Sequence, residues 1–118
     1  MRDYPKKIKR LLREYATEAY ERELHRELCV VDESFSEWRT GEISSGELSH
    51  RLHRYETIPS RELFKQYNYG DADMNVAYAI VAGILARDEV PWELLEALEH
   101  LISFYQGLKE RDELHLRG

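Results

Sequence analysis

The feature that most constrains this chain is a helical spacing of apolar residues over its first third. Apolar side chains recur four residues apart, and after residue 28 the gaps alternate between three and four. These residues are Ile8, Leu12, Ala16, Tyr20, Leu24, Leu28, Val31, Phe35 and Trp38. The spacing predicts one long helix over about Pro5 to Thr40, ended by Gly41. Because steps of four drift round a helix and alternating gaps do not, only the C-terminal half should pack along a single neighbour.

Four further helices are predicted from spacing of the same kind, and no strand pattern occurs. The second begins at a capping box formed by Ser44 and Glu47 and is broken by Thr57-Ile58-Pro59. The third, fourth and fifth span Ser60 to about Tyr67, about Asp73 to Arg87 with Asp73 as N-cap, and Pro91 to about Lys109. The fourth is apolar on nearly all sides, which is typical of a central helix. The third should turn Phe64 inward, and the fifth should bury Trp92.

These elements predict an all-α fold, a compact five-helix bundle-like domain with a long N-terminal helix and a central apolar fourth helix. At 118 residues the chain suits a single helical domain, residues 1–118, with a charged tail that frays from about residue 110. The longest apolar stretch has 11 residues, too short to span a membrane, and no secretory signal is recognisable. We therefore expect a cytoplasmic protein, in which Cys29 is a reduced packing residue.

Charge is distributed unevenly along the chain. The net charge is −6, yet residues 2–13 carry +5, because this segment contains six basic residues and one acidic residue. Four of them, Lys6, Lys9, Arg10 and Arg13, share one side of the first helix. The default interpretation of this side is a solvated helix face, and a docking surface for an acidic partner protein is the next one. A nucleic-acid-linked regulator is a weaker alternative, because the overall charge is negative.

The second helix carries the other candidate residues. Arg51 and Arg54, with His50 and His53 beside them, are expected to be exposed and available to a partner. The spacing Glu47-x-x-His50-x-x-His53 also imitates a metal site, since histidine and carboxylate are ligands for zinc or iron. Both histidines point away from the apolar stripe of this helix, which favours solvated side chains over metal ligands.

The function predicted from these features is a non-enzymatic protein-interaction or regulatory module. No nucleophile motif, phosphate-binding loop or cofactor signature is present, so no cofactor is expected and an enzyme is disfavoured. The later helices are too short to cover the first one, which should leave Leu11, Tyr15, Ala19 and Val30 partly exposed. Uncovered apolar side chains of this kind predict a homodimer or a complex with another protein. The alternative is a small metal-binding protein or metal-dependent enzyme using Glu47, His50 and His53.

Overall fold

The structure is a computed structural model that describes residues 3–115, and these contain helices and no strands. The α-helices are α1 (Lys6–Arg39), α2 (Ser45–Tyr55), α3 (Arg61–Tyr69), α4 (Ala72–Val81), α5 (Trp92–Ala97) and α6 (Glu99–Glu110). The predicted all-α fold with a long N-terminal helix and a central fourth helix is confirmed. The fifth predicted helix is divided at Leu98 into α5 and α6.

The first helix is continuous, as the apolar spacing predicts. It has 34 residues, follows Pro5 and ends before Thr40. Gly41 then adopts a φ of 81°, a left-handed conformation that glycine takes without the steric penalty of a Cβ. At 1.5 Å per residue, α1 is about 51 Å long, so it alone accounts for the 53 Å long axis of the molecule.

The hydrophobic core surrounds α4, whose residues from Asn75 to Val81 are all buried. Helices α5 and α6 and the N-terminal part of α1 complete it, and Ala19 is the last α1 residue that belongs to it. Two predictions of exposure were wrong here, because α4 and α5 pack on this part of α1. Leu11 is only 7% exposed and Ala19 is 0% exposed.

Helix α4 is shorter than the sequence predicts. It ends at Val81, because Gly83 takes a φ of 80° and turns the chain out of the helix. The Ala79 carbonyl then accepts hydrogen bonds from the amides of Ile84 and Leu85, at 2.8 and 3.1 Å. At its other end the N-cap is Asp71, not Asp73 as predicted. Residues 82–91, with a short 3₁₀ turn at Arg87–Glu89, lead on to α5.

The predicted break after the second helix does not occur. A π-helical segment, Glu56–Ser60, joins α2 to α3 without leaving the helical conformation. Pro59 lacks an N–H, and its ring crowds the preceding turn of an α-helix. The wider π turn accommodates this residue, so the proline changes the type of helix instead of ending it.

Several side chains near the ends of elements differ from the predictions. Trp92 and Phe64 are exposed, not buried. The tail does not detach where α6 ends, because Leu114 packs against the core and the Tyr78 hydroxyl donates a hydrogen bond to the His115 carbonyl at 2.9 Å. The rest of the predicted frayed tail, residues 116–118, lies outside the described residues, as does Arg2 of the basic segment.

The molecule divides into two regions that share α1. The first, the core end, contains residues 3–19 and 71–115. The second, the arm, contains residues 24–60: the C-terminal part of α1, the turn, α2 and the π-helical segment. Helix α3 connects the arm back to α4. Only Ser34 and Leu48 are buried within the arm, and neither belongs to the hydrophobic core.

Candidate functional site: a basic face and an apolar groove

The four predicted basic residues lie on the exposed side of the first turns of α1, opposite the buried Ile8 and Leu12. We call Lys6, Lys9, Arg10 and Arg13 the basic face. Its ion pairs are long and exposed: Lys9 Nζ lies 3.5 Å from an Asp3 oxygen, and Arg10 Nε lies 3.7 Å from a Glu14 oxygen. Within residues 3–115, Lys6 and Arg13 form no ion pair.

The helix N-terminus makes this concentration of positive charge unfavourable. The first turn of α1 contains no acidic residue, and Pro5 provides no side-chain cap. A helix N-terminus carries a partial positive charge, so basic side chains there are repelled. The basic face also contains like charges three and four residues apart, a spacing that destabilises a helix. These residues therefore contribute charge to the surface at some cost to the stability of α1.

An exposed tryptophan lies at the same end of the molecule. Lys7 Nζ pairs with a Glu93 oxygen at 2.5 Å, which holds the pKa of that carboxyl below its usual range and attaches α5 to the start of α1. Trp92, the residue before Glu93, is 70% exposed. Trp92 lies two residues before the fully buried Leu94, which places the two side chains about 160° apart around α5.

Arg51 is held in a network that joins α2 to α1. Its Nη1 donates to Ser34 Oγ at 3.2 Å and to Glu37 Oε2 at 2.9 Å, while its Nε donates to Glu47 Oε1 at 3.0 Å. The hydrogen bonds that Arg51 donates to Glu47 and Glu37 raise the pKa of the arginine. At the start of α2, Ser44 Oγ accepts from the Glu47 amide at 3.0 Å. The Ser44 half of the capping box thus forms, while the Glu47 carboxylate pairs with Arg51.

A groove of about 460 Å³ runs between α1 and the returning α2. Val30 on one rim is 58% exposed and Ile58 on the other is 55% exposed. The lining residues are Glu27, Val30, Val31, Ser34, Glu47, Arg51, Arg54, Tyr55, Ile58 and Pro59. Among the described residues, neither Glu27 nor Arg54 forms an ion pair. The groove is therefore an apolar channel with one unpaired charge of each sign.

The residues of the metal hypothesis are placed as follows. His50 and His53 are exposed on α2, and Arg51 binds the Glu47 carboxylate. Over residues 3–115, no three His, Cys, Asp or Glu side chains are grouped so that they could hold a metal ion. The carboxylate of Glu47 is thus paired with a side chain of its own helix. Cys29, predicted as a packing residue, is exposed instead.

A second arginine joins α1 to the loop that follows α4. Arg22 forms two hydrogen bonds to the Glu89 carboxylate, from Nη1 at 3.0 Å and from Nη2 at 2.6 Å. Its Nη1 also donates to the Ile84 carbonyl at 3.0 Å, which fixes the loop after α4 against α1. The hydrogen bond from Arg22 lowers the pKa of Glu89. The sequence does not reveal this contact, because the two partners are 67 residues apart.

Comparisons with protein-family models, with curated proteins and with solved structures find no match for this chain. No helix in residues 3–115 combines the length and the apolar character needed to cross a bilayer.

Proposed function

We propose that this chain is a non-enzymatic interaction module of the cytoplasm that binds an acidic surface of another protein through its basic face. The observation that carries the proposal is the exposed cluster of Lys6, Lys9, Arg10 and Arg13 on the first turns of α1. Like charges three and four residues apart repel one another there, and the helix N-terminus also disfavours the two lysines of the first turn. A partner that supplied carboxylates would remove both the mutual repulsion and the repulsion from the helix terminus.

A protein partner fits this end of the molecule better than a nucleic acid. Trp92 adds an exposed aromatic side chain near the start of α1, and tryptophan and arginine are the residues most often found at the centres of protein interfaces. Glu93 and Glu96 of α5 and the net charge of −6 would repel a polyphosphate backbone. The partner is therefore a protein with an acidic docking site that also accepts an aromatic side chain.

Affinity capture with two matched charge variants tests the proposal. The first variant replaces Lys6, Lys9, Arg10 and Arg13 by Glu. The control makes the same change of net charge at Arg39, Arg61, Lys65 and Arg87, which are exposed and form no ion pair among the described residues. Both variants and the original chain are cross-linked in lysate of the source cells, and the captured proteins are quantified by mass spectrometry. Circular dichroism establishes that all three are folded.

The proposal expects at least one protein that the original chain and the control capture and that the basic-face variant loses. The region of that protein that cross-links to the basic face should be rich in Asp and Glu. Equal capture by both variants would refute a role for the basic face. Binding to a DNA or RNA duplex that weakens steeply with salt, without any protein that depends on the basic face, would replace this proposal by the nucleic-acid alternative.

A further inference from the structure

Two hydrogen bonds set the register of the helices that form the groove of the arm. Arg51 donates to Ser34 Oγ, and Trp38 Nε1 donates to Ser45 Oγ at 3.1 Å, so α2 runs antiparallel to α1 with these residues level. The level of Arg51 and the buried Ser34 is one end of the groove, because the residues beyond it toward the turn do not line it.

The unpaired charges of the groove lie further along it. One helical turn beyond the level of Arg51, Arg54 on α2 lies across from Val31 on α1, in the middle of the groove. One more turn brings Ile58 level with Glu27, at the far end. The groove therefore has two arginines at one end and in the middle, and its single unpaired carboxylate at the other end.

Both arginines keep hydrogen-bond donors that the chain does not use. Arg51 spends Nε on Glu47 and Nη1 on Ser34 and Glu37, while its Nη2 forms no hydrogen bond among the described residues. Within residues 3–115, Arg54 has neither an ion pair nor a side-chain hydrogen bond. Residues three apart on a helix are neighbours, so the two sets of donors lie on the same wall. Guanidinium donors arranged in this way suit a carboxylate.

The dimensions of the groove suit a small molecule better than a protein. Seven residues of α1 separate the level of Ser34 from that of Glu27, a distance of about 10 Å. The volume of about 460 Å³ lies within the range of roughly 300–1,000 Å³ that is typical of small-molecule sites. Ten residues line the groove, whereas a stable protein interface uses about 20–30 residues on each side.

We infer that the groove binds a small molecule that carries one carboxylate on an apolar body. The carboxylate accepts hydrogen bonds from the free donors of Arg51 and Arg54, and the body lies on the apolar lining toward Ile58. Glu27 at the far end repels a second carboxylate and so fixes the direction of the ligand. The apolar and aromatic lining consists of Val30, Val31, Tyr55, Ile58 and Pro59. This groove is distinct from the basic face, and the inference does not depend on the proposed function.

Four ligands of equal chain length test the charge and the direction. Octanoate has one carboxylate, octanol has no charge, octylamine is a cation, and octanedioate has a carboxylate at each end. Each is titrated into the isotopically labelled original chain and followed by NMR. Octanoate should shift the amides of residues 27–34 and 51–58 to saturation, and octanol and octylamine should bind at least about tenfold more weakly. Octanedioate should also bind more weakly than octanoate, because its second carboxylate comes close to Glu27.

Matched variants test the residues. Arg54→Gln should weaken octanoate binding about tenfold, whereas Arg61→Gln, at an exposed position outside the groove, should leave it unchanged. Ile58→Ser should also weaken it, with Leu28→Ser as the control, because these side chains are 55% and 48% exposed and only Ile58 lines the groove. Glu27→Gln should bring the affinity for octanedioate up to that for octanoate. Circular dichroism establishes that every variant is folded.

Other outcomes would overturn the inference. Octanoate that causes no saturable shift up to its solubility limit excludes the site. Octanol that binds as tightly as octanoate, or a folded Arg54→Gln variant that binds octanoate normally, excludes the arginines as the carboxylate site. A dimer in sedimentation velocity that Ile58→Ser dissociates assigns the groove to a second copy. The variant with Glu at all four positions of the basic face should bind octanoate normally, so failure of the proposed function leaves this result intact. Loss of octanoate binding in that variant would place the carboxylate on the basic face instead.

Discussion

The core end and the arm differ in how they use the same helix. Before Ala19, α1 is packed against α4 and α5, and its apolar residues are buried. After Leu24, α1 has α2 on one side only, and Leu28, Val30 and Trp38 remain exposed. Both halves have apolar residues at helical spacing, so burial is determined by how many helices surround each half. Helical continuity alone therefore does not make the two halves equally stable.

The two regions also differ in the interactions that stabilise them. The core end is stabilised mainly by buried apolar side chains such as Leu94 and Leu98, both 0% exposed. The arm is held largely by polar contacts of Arg51 with Ser34, Glu37 and Glu47 on partly exposed side chains. Exposed ion pairs contribute little free energy to folding. The arm should accordingly be the region that opens first and gains most from a partner.

Truncation in the core should have the largest effect. Leu94→Ala removes a fully buried side chain from the contact of α5 with the core, and leaves a cavity that its neighbours fill only in part. We expect a loss of about 2–5 kcal/mol in the free energy of unfolding, measured by urea denaturation. A loss below about 1 kcal/mol would mean that the core end is not the stable region.

The equivalent truncation in the arm should have a smaller and more local effect. Leu48→Ala removes the buried apolar residue of α2, which lies outside the hydrophobic core. We expect a loss of about 2 kcal/mol, near the low end for such changes. Hydrogen exchange should quicken in α2 and in the C-terminal part of α1 and stay unchanged in α4. Equal acceleration in α4 would show that arm and core unfold as one unit.

Acid should weaken the contact between α1 and the loop that follows α4. The pKa of Glu89 is lowered by the hydrogen bond from Arg22. The carboxylate therefore stabilises the folded chain at pH values above its ordinary pKa of about 4.5. That contribution is lost as the pH falls through the lowered pKa of the folded state. Glu89→Gln should therefore reduce the stability of the folded chain at pH 7 and flatten the decline of that stability below pH 4.5. Thermal unfolding measured at each pH checks both effects. An unchanged acid decline would contradict a structural role for this pair.

The smallest expected effect is a gain in stability from a charge reversal in the first turn of α1. Lys6→Glu replaces a cation by an anion in the first turn of α1, where the helix terminus favours negative charge. We expect about 0.5 kcal/mol of added stability at low salt, seen as a higher melting temperature, with Arg39→Glu as a control at the other end of the helix. A loss of stability would show that the basic face contributes to folding, which would weaken the case that it serves binding.

Local features of this chain could be predicted from its sequence, and long-range ones could not. The extent of α1, the stop at Gly41 and the Ser44 cap follow from residues within one turn of each other. The groove depends on how α2 packs back on α1. The Arg22–Glu89 pair depends on a contact between residues that are 67 positions apart in the sequence. Trp92 was misassigned because apolar character alone does not tell which side of a short helix is buried.

The most direct test of the difference between the two regions is native-state hydrogen exchange of the original chain. We predict that amides of α2 and of α1 after Leu24 exchange faster than those of α4. Arm amides as protected as those of α4 would contradict a core end that is more stable than the arm.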